Sequence, residues 1–205
     1  QTALEYVANG LKQIKDQHGA QSIGALVSPH STLEELFLTG QLLRGIGSDN
    51  IDWRLRHAQF NAAEGVRWLG TSIAALSDLQ AALVVGSNLR KDHPLFAQRI
   101  RQATKKGCQV FALNAKVYDW AMPVTASVVA AQDWAQALAD VAAAVAQAKG
   151  VQAPVAGQAN VEADAIAQAL IAGERKAILL GNAAAHHAHA AELLALANWI
   201  GEQTG

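Results

Sequence analysis

Short, unbroken apolar runs separated by longer stretches of helical periodicity restrict what this chain can fold into. Ile23-Gly24-Ala25-Leu26-Val27, Leu79 to Val85, Gln109-Val110-Phe111-Ala112-Leu113 and Ala177-Ile178-Leu179-Leu180 are each of strand length and apolar almost throughout. A strand apolar on both faces belongs inside a parallel sheet with helices covering each side. The intervening segments supply those helices. Leu4, Val7, Ala8, Leu11 and Ile14 fall at helical spacing across 2–17, with His18-Gly19 as a stop. Thr32 with Glu35 forms a capping-box pattern opening a helix through Leu36, Leu38, Leu42 and Leu43. Pro94 opens another through Leu95, Ile100 and Ala103, ending at Lys105-Lys106-Gly107. Further helices are expected over 133–148, 162–172 and about 187–200, and Ser127-Val128-Val129-Ala130 is a candidate short strand. The pattern predicts an α/β fold, a three-layer doubly wound (Rossmann-like) and mostly parallel sheet, in which ligands sit at the carboxyl ends of strands.

Residues 149–160 mix Gly, Pro, Ala, Gln and Asn without a charge after Lys149, which is linker composition. The expected organisation is a larger α/β domain over 1–150, a linker over 151–160, and the truncated start of a second, smaller α/β segment over 161–205. Residues 47–71 are polar and aromatic without periodicity and read as a long ordered loop. The chain begins at Gln1 without a Met and without a signal-like segment, so it reads as an excised piece of a longer protein.

Charge and cysteine usage remove several functions. Sixteen basic against seventeen acidic residues give a net charge of -1, which offers no field to recruit nucleic acid. The apolar runs fall far short of the roughly 20 residues that span a bilayer, so no direct membrane insertion is expected. A single cysteine, Cys108, excludes an internal disulfide or a cysteine-held iron-sulphur cluster within these residues, and it reads as a small buried hydrophobe.

Few residues invite chemistry. The turn Val85-Gly86-Ser87-Asn88 ahead of the Pro94 helix could offer backbone N–H groups to a phosphate, but such a turn requires Gly, Ser and Asn for conformational reasons alone. His186, His187 and His189 lie close together, and 186 with 189 has the spacing of one helix face; three histidines so close rarely converge on one ion, and polar residues at an exposed helix start explain them better than a metal does. Trp53, Arg54, Arg56, His57, Arg67 and Trp68 crowd one segment. They are interface-enriched types, and they suit a contact surface for the remainder of a parent protein as well as an ordinary loop whose tryptophans fill a core edge. No catalytic residue and no metal ligand is assigned.

The run Leu83-Val84-Val85-Gly86-Ser87-Asn88-Leu89-Arg90-Lys91-Asp92-His93-Pro94, followed by Arg99-Ile100, Ala103, Lys106-Gly107 and Val110, resembles the molybdopterin oxidoreductase family. Ser28, Thr32 and Glu34-Glu35 are similar to that family's helix start, and Ala177-Ile178-Leu179-Leu180-Gly181 to its next α/β segment. Asn50-Ile51-Asp52-Trp53-Arg54-Leu55-Arg56 resembles the branch represented by the large iron-sulphur subunit of bacterial NADH-quinone oxidoreductase, complex I. The resemblance implies a formate dehydrogenase/DMSO reductase-like fold and a pterin-dinucleotide pocket at Gly86, Ser87, Asn88 and His93. Where cofactor-binding members carry an Asp-x-Arg-like pair, this chain has Asn114-Ala115-Lys116. Arg to Lys loses the planar fork that grips phosphate, and Asp to Asn loses an acceptor charge. The expectation is a vestigial pocket of Gly86, Ser87, Asn88, His93, Asn114 and Lys116 without molybdopterin. Iron-sulphur clusters would lie elsewhere in the parent, on the cytoplasmic face of the bacterial inner membrane among other peripheral-arm subunits. The alternative is a piece of an active formate dehydrogenase or nitrate reductase.

Overall fold

The computed structural model describes residues 1–205 except residue 29, residues 54–64 and residue 67. The chain divides into two compact units, residues 1–56 and 57–205.

In the first unit, helix α1 (Thr2–His18) leads into strand β1 (Ala25–Leu26), helix α2 (Leu33–Ile46) and strand β2 (Ile51–Asp52). β1 and β2 pair in parallel, with α2 as the crossover between them. The expected capping box is present: Glu35 N donates to Thr32 Oγ1 at 3.2 Å and Thr32 N donates to Glu35 Oε2 at 2.8 Å. Gly47 ends α2 at φ 100, a left-handed value that glycine adopts without strain. α1 has the apolar stripe that its spacing predicts, yet Leu4, Tyr6 and Val7 are exposed and none of its residues is buried.

The second unit holds a four-stranded parallel sheet. Its strands are β3 (Ala81–Val85), β4 (Gln109–Asn114), β5 (Thr125–Val128) and β6 (Lys176–Leu180), in the order β5-β4-β3-β6. Helices α3 (Leu89–Asp92) and α4 (Pro94–Thr104) follow β3. α5 (Trp134–Lys149) and α6 (Val161–Ala172) follow β5, and α7 (Asn182–Ala185) and α8 (Ala190–Thr204) follow β6. Every residue of β3 is buried, as a strand covered on both faces must be. Its alternate side chains divide between two cores. Ala81, Leu83 and Val85 pack with α5, α6 and α8 residues such as Leu138, Leu170, Leu193 and Ile200. Ala82 and Val84 pack with Leu89, Ala97 and Ile100 beneath α3 and α4. The result is three layers, the doubly wound α/β class that the apolar runs predict.

One expectation needs correction. Residues 161–205 do not start a separate sheet beyond a linker: Ala81 to Val85 of β3 pair with Lys176 to Leu180 of β6. The second, smaller α/β unit is the one at residues 1–56. Composition points to a boundary at 151–160 because a long solvent-facing connection and an interdomain linker draw on the same residues. Residues 47–71 are not loop throughout, since Ile51–Asp52 is a strand, too short for periodicity to show.

Cys108 is buried at the entry to β4, and desolvation pushes its thiol up to about 11. A rise of that size leaves on the order of a hundredfold less thiolate than an open cysteine at neutral pH. Alkylation by iodoacetamide in the folded protein is expected to be at least that much slower than in the urea-unfolded chain; equal rates would contradict the buried placement. Among the described residues, no helix is long and apolar enough to cross a membrane.

Candidate functional site

The chain leaves β3, adds β4 and β5 on one side, and returns to place β6 on the other. The point between β3 and β6 where the winding reverses is where doubly wound sheets open a crevice for ligands. Among the described residues, the ends of the two strands lie close together there. Gly86 turns at φ +63, and a Cβ on it would lie 2.7 Å from Ala184 N and 2.8 Å from Trp134 Cζ3. A Cβ on Gly181 would lie 2.2 Å from Ser87 Cβ. Gly181 N donates to Val85 O at 2.8 Å and Ala183 N to Gly86 O at 3.0 Å, so the ends of the two strands are laced together.

The turn's donors are spent within the protein. Ser87 N donates to Asn114 Oδ1 at 2.9 Å, joining the ends of β3 and β4. Ser87 Oγ donates to Asp92 Oδ2 at 2.8 Å, and Asn88 N donates to the same oxygen at 2.9 Å. A hydroxyl and a turn amide converging on one point is how loops hold a phosphate oxygen, and a carboxylate holds that point instead. A phosphate arriving there would displace a half-buried anion from charge-assisted hydrogen bonds while meeting its negative charge. As arranged, the turn does not fit the phosphates of a pterin dinucleotide. One group points the other way: Asn114 is buried, and its Nδ2 has no hydrogen-bond partner among the described residues.

The residues proposed from the sequence therefore separate. Gly86, Ser87, Asn88 and Asn114 come together. His93 stacks on Phe96 with ring centroids 5.3 Å apart, and the exposed Lys116 sits 5.4 Å from the Tyr118 ring centroid, so both are engaged with rings rather than with the turn. Asp92, Trp134 and Gly181 complete the arrangement, and sequence reasoning does not single them out. Asp92 is legible all the same, because a carboxylate four residues beyond an Asn at a helix start can reach back to its amide. The other two become neighbours of Gly86 only through the sheet.

Of the expected contact surface, Trp53 and Trp68 are exposed, while Arg54, Arg56, His57 and Arg67 lie outside the described residues. His186, His187 and His189 occupy the turn between α7 and α8 rather than one helix face. The His187 ring lies 5.6 Å from that of Trp134, and His189 Nδ1 is 3.0 Å from Glu192 Oε1. No group of three or more His, Cys, Asp or Glu that could hold a metal occurs among the described residues. A cleft of about 260 Å³ between α5 and α6 carries Asp133, Asp140 and Glu162 and no basic side chain, a lining that opposes phosphate.

The chain is similar to several bacterial oxidoreductases. The probable oxidoreductase YjgC of Bacillus subtilis (strain 168) is 31% identical over 127 residues, covering 58% of this chain and 13% of that protein. The putative formate dehydrogenase SAR2393 of Staphylococcus aureus (strain MRSA252) is 31% identical over 124 residues, 57% of this chain and 12% of that protein. The putative formate dehydrogenase YrhE of Bacillus subtilis is 32% identical over 110 residues, 50% of this chain and 11% of that protein. The chain thus spans about an eighth of the length of these relatives. The family model described as molybdopterin oxidoreductase matches residues 1–205, and the parallel three-layer sheet agrees with it, so the chain belongs to the molybdopterin oxidoreductase family.

Proposed function

We propose that this chain is a non-catalytic scaffold of a larger oxidoreductase, of the kind that forms the large iron-sulphur subunit of bacterial NADH-quinone oxidoreductase. The observation that carries the reading is the Asp92 carboxylate seated on Ser87 Oγ and Asn88 N, where a cofactor phosphate would be held. Asn114-Ala115-Lys116, lacking both the acidic acceptor and the guanidinium fork, adds to it. In this role the α/β body contributes packing. It would position neighbouring segments that carry iron-sulphur clusters, among the other peripheral-arm subunits of complex I on the cytoplasmic face of the inner membrane, while electrons pass from NADH to quinone outside these residues.

The second reading is part of an active molybdopterin enzyme of the formate dehydrogenase type. It is favoured by the names of the relatives and by Asn114 Nδ2, which has no hydrogen-bond partner among the described residues. Metal analysis of the intact parent separates the two: iron without molybdenum or tungsten is expected, and stoichiometric molybdenum or tungsten would replace the first reading with the second. Guanosine diphosphate offers an independent check as a fragment of the dinucleotide. No saturable binding tighter than about 1 mM is expected by titration calorimetry. Stoichiometric tight binding that Ser87→Ala abolishes would overturn the scaffold reading.

A further inference from the structure

β6 has the composition of an interior strand and the position of an edge. After Lys176 it reads Ala-Ile-Leu-Leu, with Ile178 and Leu180 directed to the core under α5, α6 and α8, and Ala177 and Leu179 to the opposite layer. Apolar residues on both faces mark a strand that is covered on both faces of its sheet, and such a strand is buried when its edge is covered as well. Yet all five β6 residues are only half-buried, whereas adjoining β3, also aliphatic, is wholly buried. The opposite edge is built differently: β5 is four residues long, contains Thr125 and Ser127, and has Pro123 just ahead of it. Short length, polar side chains and proline are the means by which sheet edges discourage pairing. β6 has none of these beyond its leading lysine.

The hydrogen bonding of β6 is one-sided. Arg175 O accepts from Gln80 N at 2.7 Å, and Gly181 N donates to Val85 O at 2.8 Å. In a parallel ladder the N–H and C=O of one residue point the same way and alternate along the strand, so residues 175, 177, 179 and 181 face β3. The backbone groups of Lys176, Ile178 and Leu180 face away from it, and no strand lies there among the described residues. α8 then packs Leu193, Leu196 and Ile200 onto one face of the sheet. Lys176 Nζ donates to Thr204 O, holding the end of α8 beside the start of β6. A helix that has run back to the start of its strand is the first half of a parallel crossover, and such crossovers are right-handed in nearly all proteins.

We propose that the open edge of β6 receives one further parallel strand, apolar on both faces, supplied by the same longer polypeptide. Relatives of which this chain spans 12–13% have ample chain to provide it. The inference is independent of the scaffold reading, because a catalytic parent would need the same strand.

Amide exchange at single-residue resolution in the intact parent tests it. Ile178 and Leu180 N–H are expected to be protected to within about tenfold of Ala177 and Leu179. They are also expected to stay protected on dilution to the monomeric parent. Exchange at the rate of solvent-exposed amides would overturn the proposal, and so would protection lost on dilution, which would mean pairing with a second copy. Ile178→Pro removes an outward N–H while leaving the bonds to β3. It is expected to lower the melting temperature of the parent by several degrees beyond Ile178→Ala, which removes the same core side chain and keeps the N–H, or to prevent its folding. Melting no lower than that of Ile178→Ala would mean that the edge is open, against the proposal.

Discussion

Gly181→Ala is expected to destabilise the chain by about 2–4 kcal/mol, although the new residue adds a single methyl. The backbone at Gly181 has φ -82 and would accept alanine without strain, so the cost is steric alone. A Cβ there meets Ser87 Cβ at 2.2 Å, Gly86 O at 2.6 Å and Ser87 Cα at 2.8 Å. All three atoms are backbone or fixed by it, and no flexible side chain can swing aside. To admit the methyl, the ends of β3 and β6 must part, loosening the bonds from Gly181 N to Val85 O and from Ala183 N to Gly86 O. For a chain of this size the penalty corresponds to a fall of roughly 5–15 °C in melting temperature. Scanning calorimetry of both proteins checks this, and an unchanged midpoint would show that the switch point is looser than described.

Leu170→Ala is expected to cost about 2–5 kcal/mol by leaving a cavity in the core shared by α5, α6 and α8. Leu170 is fully buried and lies in the same cluster as Leu83 of β3, so the loss falls on the whole second unit. Amide exchange tests that point directly. The opening free energies of β3 and of α6 are expected to fall together and by the same amount. A fall confined to residues 161–205 would restore the independent segment that composition suggests.

The candidate site is half legible in the sequence. Gly86, Ser87, Asn88 and Asn114 are next to recognisable strand ends, and the loss of the charged pair at Asn114-Ala115-Lys116 needs only the chain order to be seen. Asp92 lies in the family-like run without being assigned to the pocket, and its spacing four residues beyond Asn88 is the signal that could place it there. Its hydrogen bonds to Ser87 and Asn88 follow from the short α3 helix, which periodicity does not reveal. His93 and Lys116 group with the turn by proximity in sequence, whereas the rings of Phe96 and Tyr118 draw them aside.

What the sequence determined alone is local and layered. Apolar runs of strand length require a parallel sheet buried on both faces, Thr32 and Glu35 open α2, and Pro94 starts α4. That β6 joins β3 emerges from the folded chain. That pairing is held by contacts between residues about 95 positions apart, such as Gln80 Oε1 accepting from Glu174 N at 2.6 Å and Arg175 N at 3.1 Å, and by a glycine at 181 small enough to lie against Ser87. Such contacts leave no periodicity in the chain, because strand order depends on which pairings bury the most apolar surface once the helices have packed.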